Sequence, residues 1–323
     1  MRALRFDRYG GPEVLRVETM PELTPGAGEA KVRVQAVGLN PLDWKLRAGH
    51  MRYLPVFRPP PRGLGCDFAG EIVAIGGGAT ERHVGERVFG SLLPFPRDGA
   101  LAEFAVAGYG RMSAAPAELD DVTLATLPVA GGTALQALTD DASVEPGERV
   151  LIIGAAGGVG HFAVQIAKHL GAHVVGVCST SHVDFVRSIG ADEVIDYTRS
   201  DFTRRADRFD VVFDAAGAST FAAAAPVLTE RGRYLNTLGT ASAAVNTIAS
   251  AVLARVVSRR RAIPVALKGR PQLWQRLVDL VQRGAMHPHV SRVVPLEEVA
   301  EAQRAMQSGH ARGKIVVRVA GSG

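Results

Sequence analysis

Residues 151–160 read LIIGAAGGVG, and this stretch decides the fold class of the 323-residue chain. Leu151-Ile152-Ile153 is a short, wholly apolar run of the kind that is buried in a parallel sheet. A glycine-rich turn follows, and the amphipathic pattern of residues 158–170 then predicts a helix. A strand, a glycine turn and a helix in this order present free backbone N–H groups and the positive end of a helix dipole, which together bind an anion.

The spacing of the glycines indicates that this anion is the pyrophosphate of a dinucleotide. In the G-x-G-x-x-G pattern the second glycine, here Gly157, lets the backbone approach the pyrophosphate, and the third, Gly160, lets the helix pack closely on the strand. Ala155 stands at the first position, which is tolerable if the turn does not require a positive φ there. A glycine pattern alone is a weak signal, but the strand before it and the helix after it make this one specific.

The turn after the next predicted strand bears on the choice between NAD(H) and NADP(H). A site for NAD carries an Asp or Glu at the end of that strand, about 20 residues past the glycines, which holds the ribose 2′-hydroxyl. Here the strand ends in Cys178-Ser179-Thr180-Ser181-His182, with no carboxylate before Asp184. Hydroxyl groups can donate hydrogen bonds to a 2′-phosphate, whereas a carboxylate would repel it, so the turn favours NADP(H). NAD(H) stays open, since His182 is the only basic residue in the turn.

The pattern along the chain predicts two domains. The first hundred residues hold short Val- and Ile-rich segments separated by Pro and Gly, which is typical of a compact β-rich domain. From about residue 118 strands alternate with helices, which predicts βαβ units and a parallel sheet. The elements expected there are helix 121–139, strand 149–153, helix 158–170, strand 173–178, helix 182–189, strands 193–195 and 210–214, helix 218–228 and strand 232–238. Beyond residue 261 the alternation is lost, and we expect this tail to return to the first domain.

Composition excludes several classes of protein. Hydrophobic residues make up 47% of the chain and charged residues 21%, which fits a soluble globular protein and argues against disorder. The 2 cysteines, Cys66 and Cys178, cannot form a disulfide framework or a four-cysteine zinc site. So few cysteines favour a reducing, cytoplasmic setting.

Charge and hydropathy give no sign of a nucleic-acid or membrane partner. The net charge of +5 is spread along the chain, and the one basic run, Arg259-Arg260-Arg261, is short for a protein that tracks phosphates. The N-terminus has no apolar signal core. The longest apolar tract, residues 241–257, is interrupted by polar residues, whereas a membrane span needs about 20 predominantly apolar residues. We therefore expect a buried or pocket-lining helix there, and no membrane span.

Six short segments, taken together and in this order, are highly specific. They are VGLNPLDWK at 37–45, GCDFAGEIV at 65–73, VGERVFG at 84–90, AAGGVG at 155–160, GADEVIDY at 190–197 and HARGK at 310–314. With these segments the chain resembles, over essentially its whole length, the medium-chain dehydrogenase/reductase superfamily on its zinc-free quinone oxidoreductase side. The run from Val177 to Tyr197 is most similar to quinone reductases of the zeta-crystallin and reticulon-interacting type.

The resemblance implies an α/β fold with two domains. Residues 1–117 and 262–323 would form a GroES-like, β-rich catalytic domain. Residues 118–261 would form a Rossmann domain, a doubly wound parallel sheet that binds NADP(H). NADPH would be the cofactor, the substrate cleft would lie between the domains, and a homodimer could form through the edge of the Rossmann sheet.

The resemblance also implies which residues contact the cofactor. Thr180 is added to these residues because its hydroxyl group lies in the turn after the second strand. The residues are, for the pyrophosphate, Ala156, Gly157, Gly158 and Val159; for the 2′-phosphate, Ser179, Thr180 and Tyr197; for the nicotinamide side, Thr133, Leu238 and Gly239; and, from the tail, Lys314.

The chain departs from the zinc-dependent members of the superfamily at their metal site. A catalytic zinc needs three protein ligands, there a Cys, a His and a further Cys or Asp, and an open fourth position. At the first ligand position this chain has Asn40, and at the second it has Cys66. Cys66 and Asp67 alone cannot complete a tetrahedral site, so we expect no metal.

Without a Lewis acid, reduction of an ordinary ketone loses its usual means of polarising the carbonyl group. The expected substrate is therefore a small molecule that accepts hydride more readily, a quinone or an α,β-unsaturated carbonyl. Asn40 could donate a hydrogen bond to the developing oxyanion, Tyr53 could donate a hydrogen bond or a proton, and Asp43 would order their loop. Alternatively, Asn40 caps the turn at Pro41, and Tyr53 is part of the wall of the cleft.

Three functions stay open on these grounds. The residues favour an NADPH-dependent, zinc-independent oxidoreductase that acts on a quinone or enone. A dedicated enoyl or alkene reductase, or an alcohol dehydrogenase-like enzyme of a biosynthetic pathway, would use similar hydride chemistry. An NADPH-binding structural or RNA-contacting protein is the third, and the glycine loop does not discriminate because each of them binds the cofactor.

Overall fold

The chain forms two compact units in the computed structural model. Unit 1 comprises residues 1–129, 269–279 and 290–323, and unit 2 comprises residues 130–268 and 280–289. The structure describes residues 1–53, 59–78, 81–92, 98–237, 259–309 and 311–319. The helix expected within 241–257, and the residues Leu238 and Gly239, lie outside the described residues.

Most of the described secondary structure is extended. The strands are β1 (Arg2–Phe6), β2 (Arg16–Thr19), β3 (Glu29–Gly38), β4 (Arg62–Gly63), β5 (Asp67–Ile75), β6 (Arg87–Ser91), β7 (Phe104–Gly108), β8 (Met112–Ala114), β9 (Arg149–Ile153), β10 (His173–Cys178), β11 (Glu193–Asp196), β12 (Phe209–Asp214), β13 (Leu228–Thr237), β14 (Arg261–Val265), β15 (Val290–Pro295) and β16 (Lys314–Arg318). The α-helices are α1 (Pro41–Arg47), α2 (Asp121–Leu124), α3 (Gly132–Leu135), α4 (Gly160–His169), α5 (Val183–Ser188), α6 (Phe221–Ala224), α7 (Pro271–Gln282) and α8 (Val299–Gln307).

One helical segment of the described residues, Asp121–Asp141, is long and apolar enough to cross a membrane. It contains α2, α3 and two π-helical turns, Leu127–Gly131 and Gln136–Asp141. Of its apolar window 78% is buried inside the protein, which is what the core helix of a globular protein shows.

Unit 2 is built on a six-stranded sheet in which every strand pair is parallel. Its strand order is β11-β10-β9-β12-β13-β14. Numbered from β9, this is the order 3-2-1-4-5-6 of sheets that bind dinucleotides. The central strand β9 is buried from Val150 to Ile153, as expected for an apolar run covered on both faces.

Helices cover both faces of this sheet. On one face Val175 and Val177 of β10 pack in a cluster with Ala224 of α6. On the other face Gly176 approaches α5 so closely that a Cβ atom would lie 2.5 Å from Cγ1 of Val186. The doubly wound parallel sheet predicted from the sequence is therefore confirmed.

One predicted helix of unit 2 is shorter than expected. The pattern predicted a helix over 218–228, but α6 ends at Ala224 and a 3₁₀ turn, Ala225–Val227, follows it. Pro226 has no N–H group to continue the helical hydrogen bonds, so it ends the helix. The strand expected at 232–238 accordingly starts earlier, at Leu228.

Unit 1 is β-rich, as predicted for the GroES-like domain. Its larger sheet has the order β15-β16-β3-β5-β6-β8, with β7 also paired to β3, and its smaller sheet has the order β2-β1-β4. In the middle of the long strand β3, the buried Val32 and Val34 flank the exposed Arg33, because successive side chains of a strand point to opposite faces. The core of the unit lies on the buried face of this sheet.

The two units divide the chain at points that differ from the predicted domain boundaries. Residues 118–129 group with unit 1, and residues 280–289 group with unit 2. Strand β14, expected to belong to the returning tail, instead pairs with β13 at the edge of the parallel sheet. Sheet neighbours depend on hydrogen bonds between distant segments, and the alternation of elements along the sequence does not show them.

Candidate active site

The glycine turn after β9 has the geometry that its spacing predicts. Gly154 takes the left-handed conformation, with φ +76°, at the residue directly after the strand. Among the described residues other than glycine, only Ser143 has a positive φ. Ala155 therefore fits the first position of the pattern, because the backbone turns at Gly154.

The two later glycines of the turn have different surroundings. A Cβ atom on Gly160 would lie 2.0 Å from the backbone oxygen of Gly154 and 2.8 Å from Cα of Ala155, so only glycine lets α4 start this close to the turn. A Cβ atom on Gly157 would meet a single atom, the oxygen of Gly154, at 3.3 Å. The remaining space around Gly157 is open to a ligand.

The turn also leaves hydrogen-bond donors free. Gly157 donates its backbone N–H to the oxygen of Gly154 at 3.0 Å. Within the described part of the chain, the backbone N–H groups of Ala156, Gly158 and Val159 have no acceptor in the protein. Three free amides at the start of the ten-residue helix α4 are the donors that a pyrophosphate needs. The residues present thus fit a dinucleotide cofactor.

A buried histidine holds the backbone of this turn. His161 is fully buried, and its Nδ1 atom lies 3.0 Å from the oxygen of Gly157. Its Nε2 atom accepts the backbone N–H of His289 at 3.2 Å, so the proton of a neutral ring is on Nδ1 and is donated to Gly157. The sequence analysis missed His161; its position four residues after Gly157 on an expected helix was the available signal.

The residues expected to meet a 2′-phosphate lie at the ends of β10 and β11. Oγ of Ser179 lies 3.2 Å from Nδ1 of His182. Oγ1 of Thr180 donates to Oδ2 of Asp196 at 2.6 Å. The exposed Tyr197 follows Asp196 directly, and its backbone N–H donates to the oxygen of Cys178. Strand pairing places Asp196 beside Cys178, so the end of β11 supplies part of this turn.

Asp196 is a carboxylate that the sequence analysis did not place in this turn. Its Oδ1 accepts the backbone N–H of Thr198 at 3.0 Å and the hydroxyl of Thr198 at 2.7 Å. The hydrogen bonds from Thr180 and then Thr198 lower the pKa of Asp196, so it is ionised at neutral pH. The turn after β10 has no carboxylate before Asp184, whereas Asp196 comes from the end of the neighbouring strand β11.

Thr133, the remaining described candidate for the nicotinamide side, lies on α3. It is 7% exposed. Its predicted partners Leu238 and Gly239 are outside the described residues. The contact of Thr133 with the nicotinamide therefore stays a prediction.

In unit 1 the expected catalytic residues surround the start of α1. Asn40 is the N-cap residue of this helix, and Pro41 is its first residue. The backbone N–H of Asn40 donates to Oδ2 of Asp43 at 2.8 Å, and Oδ1 of Asp43 accepts the backbone N–H of Gly65 at 2.9 Å. Burial raises the pKa of Asp43, and these two hydrogen bonds oppose that shift. Asp43 thus joins the start of α1 to the backbone just before β5.

The side chain of Asn40 is held on both sides. Its Nδ2 atom donates to Oδ2 of Asp67 at 2.9 Å and to the oxygen of Gly38 at 3.1 Å. Its Oδ1 atom accepts a hydrogen bond from Nζ of Lys314 at 2.8 Å. Asn40 is 3% exposed, so little of it faces solvent. A hydrogen bond from Asn40 to a substrate stays a prediction.

Asp67 and Lys314 form a buried ion pair beside Asn40. Nζ of Lys314 lies 3.6 Å from Oδ2 of Asp67, and the side chains are 2% and 0% exposed. Burial raises the pKa of Asp67 to about 7, although the charge of Lys314 and the hydrogen bond from Asn40 oppose the shift. Burial also lowers the pKa of Lys314. The sequence analysis did not anticipate this pair, because it placed Lys314 near the cofactor.

The residues present do not fit a catalytic zinc. Among the described residues, no three His, Cys, Asp or Glu side chains are grouped so that they could hold a metal. Burial, together with the charges of Asp43 and Asp67, raises the pKa of the Cys66 thiol, which disfavours the thiolate that a metal binds. Asp67 faces an ammonium group and the Asn40 amide instead. No step of the chemistry is assigned to a metal.

Tyr53 lies on the surface of the described chain. It is 79% exposed. Its hydroxyl accepts a hydrogen bond from Nη2 of Arg52 at 2.6 Å, and the Arg52 guanidinium lies 4.6 Å from the centre of its ring. Its role as a donor or as a wall of the cleft stays a prediction.

Two family models match parts of the chain. Residues 26–117 match the alcohol dehydrogenase GroES-like domain. Residues 189–317 match the zinc-binding dehydrogenase family. The second description names a metal for the family, and the residues around Asn40 and Cys66 differ from such a site.

Curated relatives match the chain over almost its whole length. It is 34% identical to the chloroplast envelope quinone oxidoreductase homolog of Arabidopsis thaliana, over 98% of each chain. It is 32% identical to the mitochondrial NAD(P)H oxidoreductase RTN4IP1 of Mus musculus, over 99% of this chain and 89% of that protein. It is 33% identical to the 2-haloacrylate reductase of Burkholderia sp, over 96% of each chain.

A solved structure shows the same architecture. The quinone oxidoreductase from Coxiella burnetii aligns with a TM-score of 0.89 and 30% sequence identity, over 99% of each chain. The similarity includes both the β-rich unit and the parallel sheet with its glycine turn, because the alignment spans nearly every residue. The chain therefore belongs to the medium-chain dehydrogenase/reductase superfamily, on its quinone oxidoreductase branch.

Proposed function

We propose that this protein is an NADPH-dependent oxidoreductase that transfers hydride to a quinone or an α,β-unsaturated carbonyl without zinc. The observation that carries the proposal is the set of free amides at Ala156, Gly158 and Val159, in a chain that is a whole-length member of the quinone oxidoreductase branch. The free amides can bind the pyrophosphate of a dinucleotide, and membership of the family indicates the type of reaction.

The cofactor residues have separate tasks. The glycine turn and the start of α4 hold the pyrophosphate, and His161 keeps the peptide after Gly157 in place for it. Ser179 and Tyr197 are the proposed contacts of the 2′-phosphate. When bound, NADPH supplies a hydride from C4 of its nicotinamide ring. The carboxylate of Asp196 lies beside Thr180 and limits the preference for NADPH over NADH, because it repels a phosphate.

The substrate site needs a donor for the oxygen that becomes negative. Asn40 is the proposed donor, since Lys314 binds its Oδ1 atom and thereby polarises the amide towards donation from Nδ2. Of the two Nδ2 contacts the one to Gly38 is longer, at 3.1 Å, so a substrate oxygen would compete for that hydrogen. Tyr53 is the second proposed donor.

The proposed class of substrate rests on the poor fit of the Asn40 site to zinc and on the names of the curated relatives. The donor set around Asn40 does not fit zinc, so the acceptor must take hydride without a Lewis acid. Quinones and conjugated alkenes meet this requirement. Relatives are named for a quinone and for 2-haloacrylate, a conjugated alkene acid.

The test measures turnover by the purified protein after treatment with EDTA and gel filtration. We expect oxidation of NADPH with 9,10-phenanthrenequinone or with 2-cyclohexenone, and no change when zinc is added. Asn40→Ala should lower kcat with either acceptor, whereas Gln272→Ala, which removes an exposed side-chain amide of α7, serves as a control. Bound NADPH without turnover of any quinone or enone, or turnover only after zinc is restored, would contradict the proposal.

Location and assembly belong to the same proposal. The scarcity of cysteines supports a cytoplasmic protein, although curated relatives are named as chloroplast and mitochondrial proteins. A homodimer is expected from the resemblance alone. Cell fractionation tests the cytoplasmic location, and light scattering on the purified protein tests the homodimer.

A further inference from the structure

Lys314 is buried and its charge is directed into unit 1. It is the first residue of β16 and is 2% exposed. Its Nζ atom donates to the backbone oxygen of Leu39 and to Oδ1 of Asn40, both at 2.8 Å. The third neighbour of the ammonium is Oδ2 of Asp67 at 3.6 Å. The ammonium thus makes two hydrogen bonds, to Leu39 and Asn40, and an ion pair with Asp67.

The same contacts join separate segments of unit 1. Asp67, at the start of β5, binds the Asn40 side chain through Oδ2 and the backbone N–H of Val129 through Oδ1, at 2.9 Å and 3.0 Å. Asn40 precedes α1, and Val129 lies in the π-helical turn Leu127–Gly131. One buried cation and one buried carboxylate therefore connect the tail, the start of α1, the start of β5 and the π-helical turn.

The charges around this network explain why it needs a cation. Two buried carboxyl groups, Asp43 and Asp67, lie in the same region with the Cys66 thiol, and the charge of Arg62 also acts on Asp43 and on Cys66. A buried carboxylate that loses its cation is strongly unfavourable, because no water replaces the missing partner. Lys314 compensates Asp67 at contact distance and also orients the Asn40 amide.

We propose that Lys314 is a positioning residue of the reaction, whose ammonium orients and polarises the Asn40 amide through the buried pair with Asp67. The inference rests on the proposed function. The alternative hypothesis is the one from the resemblance, in which Lys314 contacts the cofactor. The two hypotheses predict different effects of replacing Lys314. Loss of a cofactor contact weakens NADPH binding, whereas loss of a positioning residue lowers turnover and leaves NADPH binding in place.

The experiment compares Lys314→Met with the wild-type protein. We expect kcat for the quinone to fall by about tenfold or more, with KM for NADPH within about twofold of the wild-type value. Because the single change leaves Asp67 without its cation and can prevent folding, Lys314→Met/Asp67→Asn is made beside it. The double variant should fold, bind NADPH and show the same loss of kcat.

Lys31→Met is the matched control. Lys31 is also a buried lysine of the larger sheet of unit 1, 8% exposed, and its Nζ atom lies 2.7 Å from Oε2 of Glu22, outside the network around Asn40. Its kcat should stay near the wild-type value. A raised KM for NADPH with unchanged kcat in the Lys314 variants would assign Lys314 to the cofactor and overturn the inference, as would variants that behave like the wild type.

A measurement that does not depend on enzyme turnover tests this inference separately from the proposed function. Hydrogen exchange at the Val129 amide reports the bond to Asp67 directly. We expect faster exchange there in the double variant and unchanged exchange in Lys31→Met. An inactive wild-type protein would count against the proposed function, while unchanged exchange at Val129 would count against the network.

Discussion

Two buried carboxyl groups, Asp43 and Asp67, lie beside Asn40 and have different hydrogen-bond partners. Asp43 satisfies both of its oxygens with backbone N–H groups. Asp67 relies on a side-chain amide, one backbone N–H and the ammonium of Lys314. Burial raises the pKa of both carboxyl groups, and the charge of Lys314 opposes the shift at each of them.

The raised pKa of Asp67 predicts how stability changes with pH. Its folded-state value of about 7 lies above the ordinary value of 3.8, so the folded protein keeps a proton that the unfolded chain has released. The stability this contributes is fully present below the unfolded pKa and is lost as pH rises through the folded pKa. We expect the free energy of unfolding to fall less steeply between about pH 4 and pH 7 in Asp67→Asn than in the wild type. Urea unfolding across this range measures it, and equal slopes would contradict it.

The two glycines of the turn after β9 should respond differently to the same added methyl group. In Gly157→Ala the methyl group meets only one protein atom, so we expect normal stability but a KM for NADPH raised about tenfold, since the group enters the space of the pyrophosphate. In Gly160→Ala it would overlap the Gly154 oxygen, at a cost of about 1–3 kcal/mol of unfolding free energy. Thermal unfolding and NADPH kinetics separate the two, and equal effects of both changes would refute this account.

The ends of β10 and β11 lie side by side at one edge of the parallel sheet. The pair Cys178 and Asp196 is in register, which brings the carboxylate to the hydroxyl of Thr180. Parallel strands end at the same edge of a sheet, so residues 16 positions apart share one turn. The charge of such a turn depends on both strands and cannot be read from either one alone.

Removing the charge of Asp196 should therefore change the choice of cofactor. We expect Asp196→Asn to raise the ratio of kcat/KM for NADPH over NADH by about tenfold, because a carboxylate no longer repels the 2′-phosphate. Asp201→Asn is the matched control, since Oδ1 of Asp201 accepts the same pair of bonds from Thr203, at 2.9 Å and 2.7 Å, without reaching Thr180. An unchanged ratio in Asp196→Asn, or an equal change in the control, would show that Asp196 does not determine the preference.

The architecture of the whole chain follows from two kinds of sheet. The parallel sheet of unit 2 is covered on both faces and provides the glycine turn, while the mainly antiparallel sheets of unit 1 hold the network around Asn40. The chain leaves and re-enters each unit, since residues 269–279 and 290–323 return to unit 1. Neither unit is a continuous piece of sequence.

Binding of the cofactor should stabilise the folded protein. NADPH at about 100 times its Kd raises the free energy of unfolding by about 2.7 kcal/mol if it binds only the folded chain. We expect a rise in Tm with NADPH, a smaller rise with an equal concentration of NADH, and no fall in Tm after treatment with EDTA. A fall in Tm on chelation would indicate a structural metal and contradict the metal-free account.

Local patterns in the sequence were enough to predict the fold class, the glycine turn and the resemblance to a family. Such patterns work because a buried strand, a tight turn and a helix start are each determined by a few neighbouring residues. The early end of α6 shows that a single residue can also decide an element boundary, since Pro226 ends the helix inside the predicted range 218–228.

What only the tertiary structure decided are the contacts between segments far apart in the chain. The sequence did not show that Asp196 is the partner of Thr180, or that Lys314 donates a hydrogen bond to Asn40, 274 residues away. Short-range periodicity carries no information on which distant charges meet. A buried ammonium or carboxylate is placed by burial and by the partner that compensates it, and both exist only when the chain has folded.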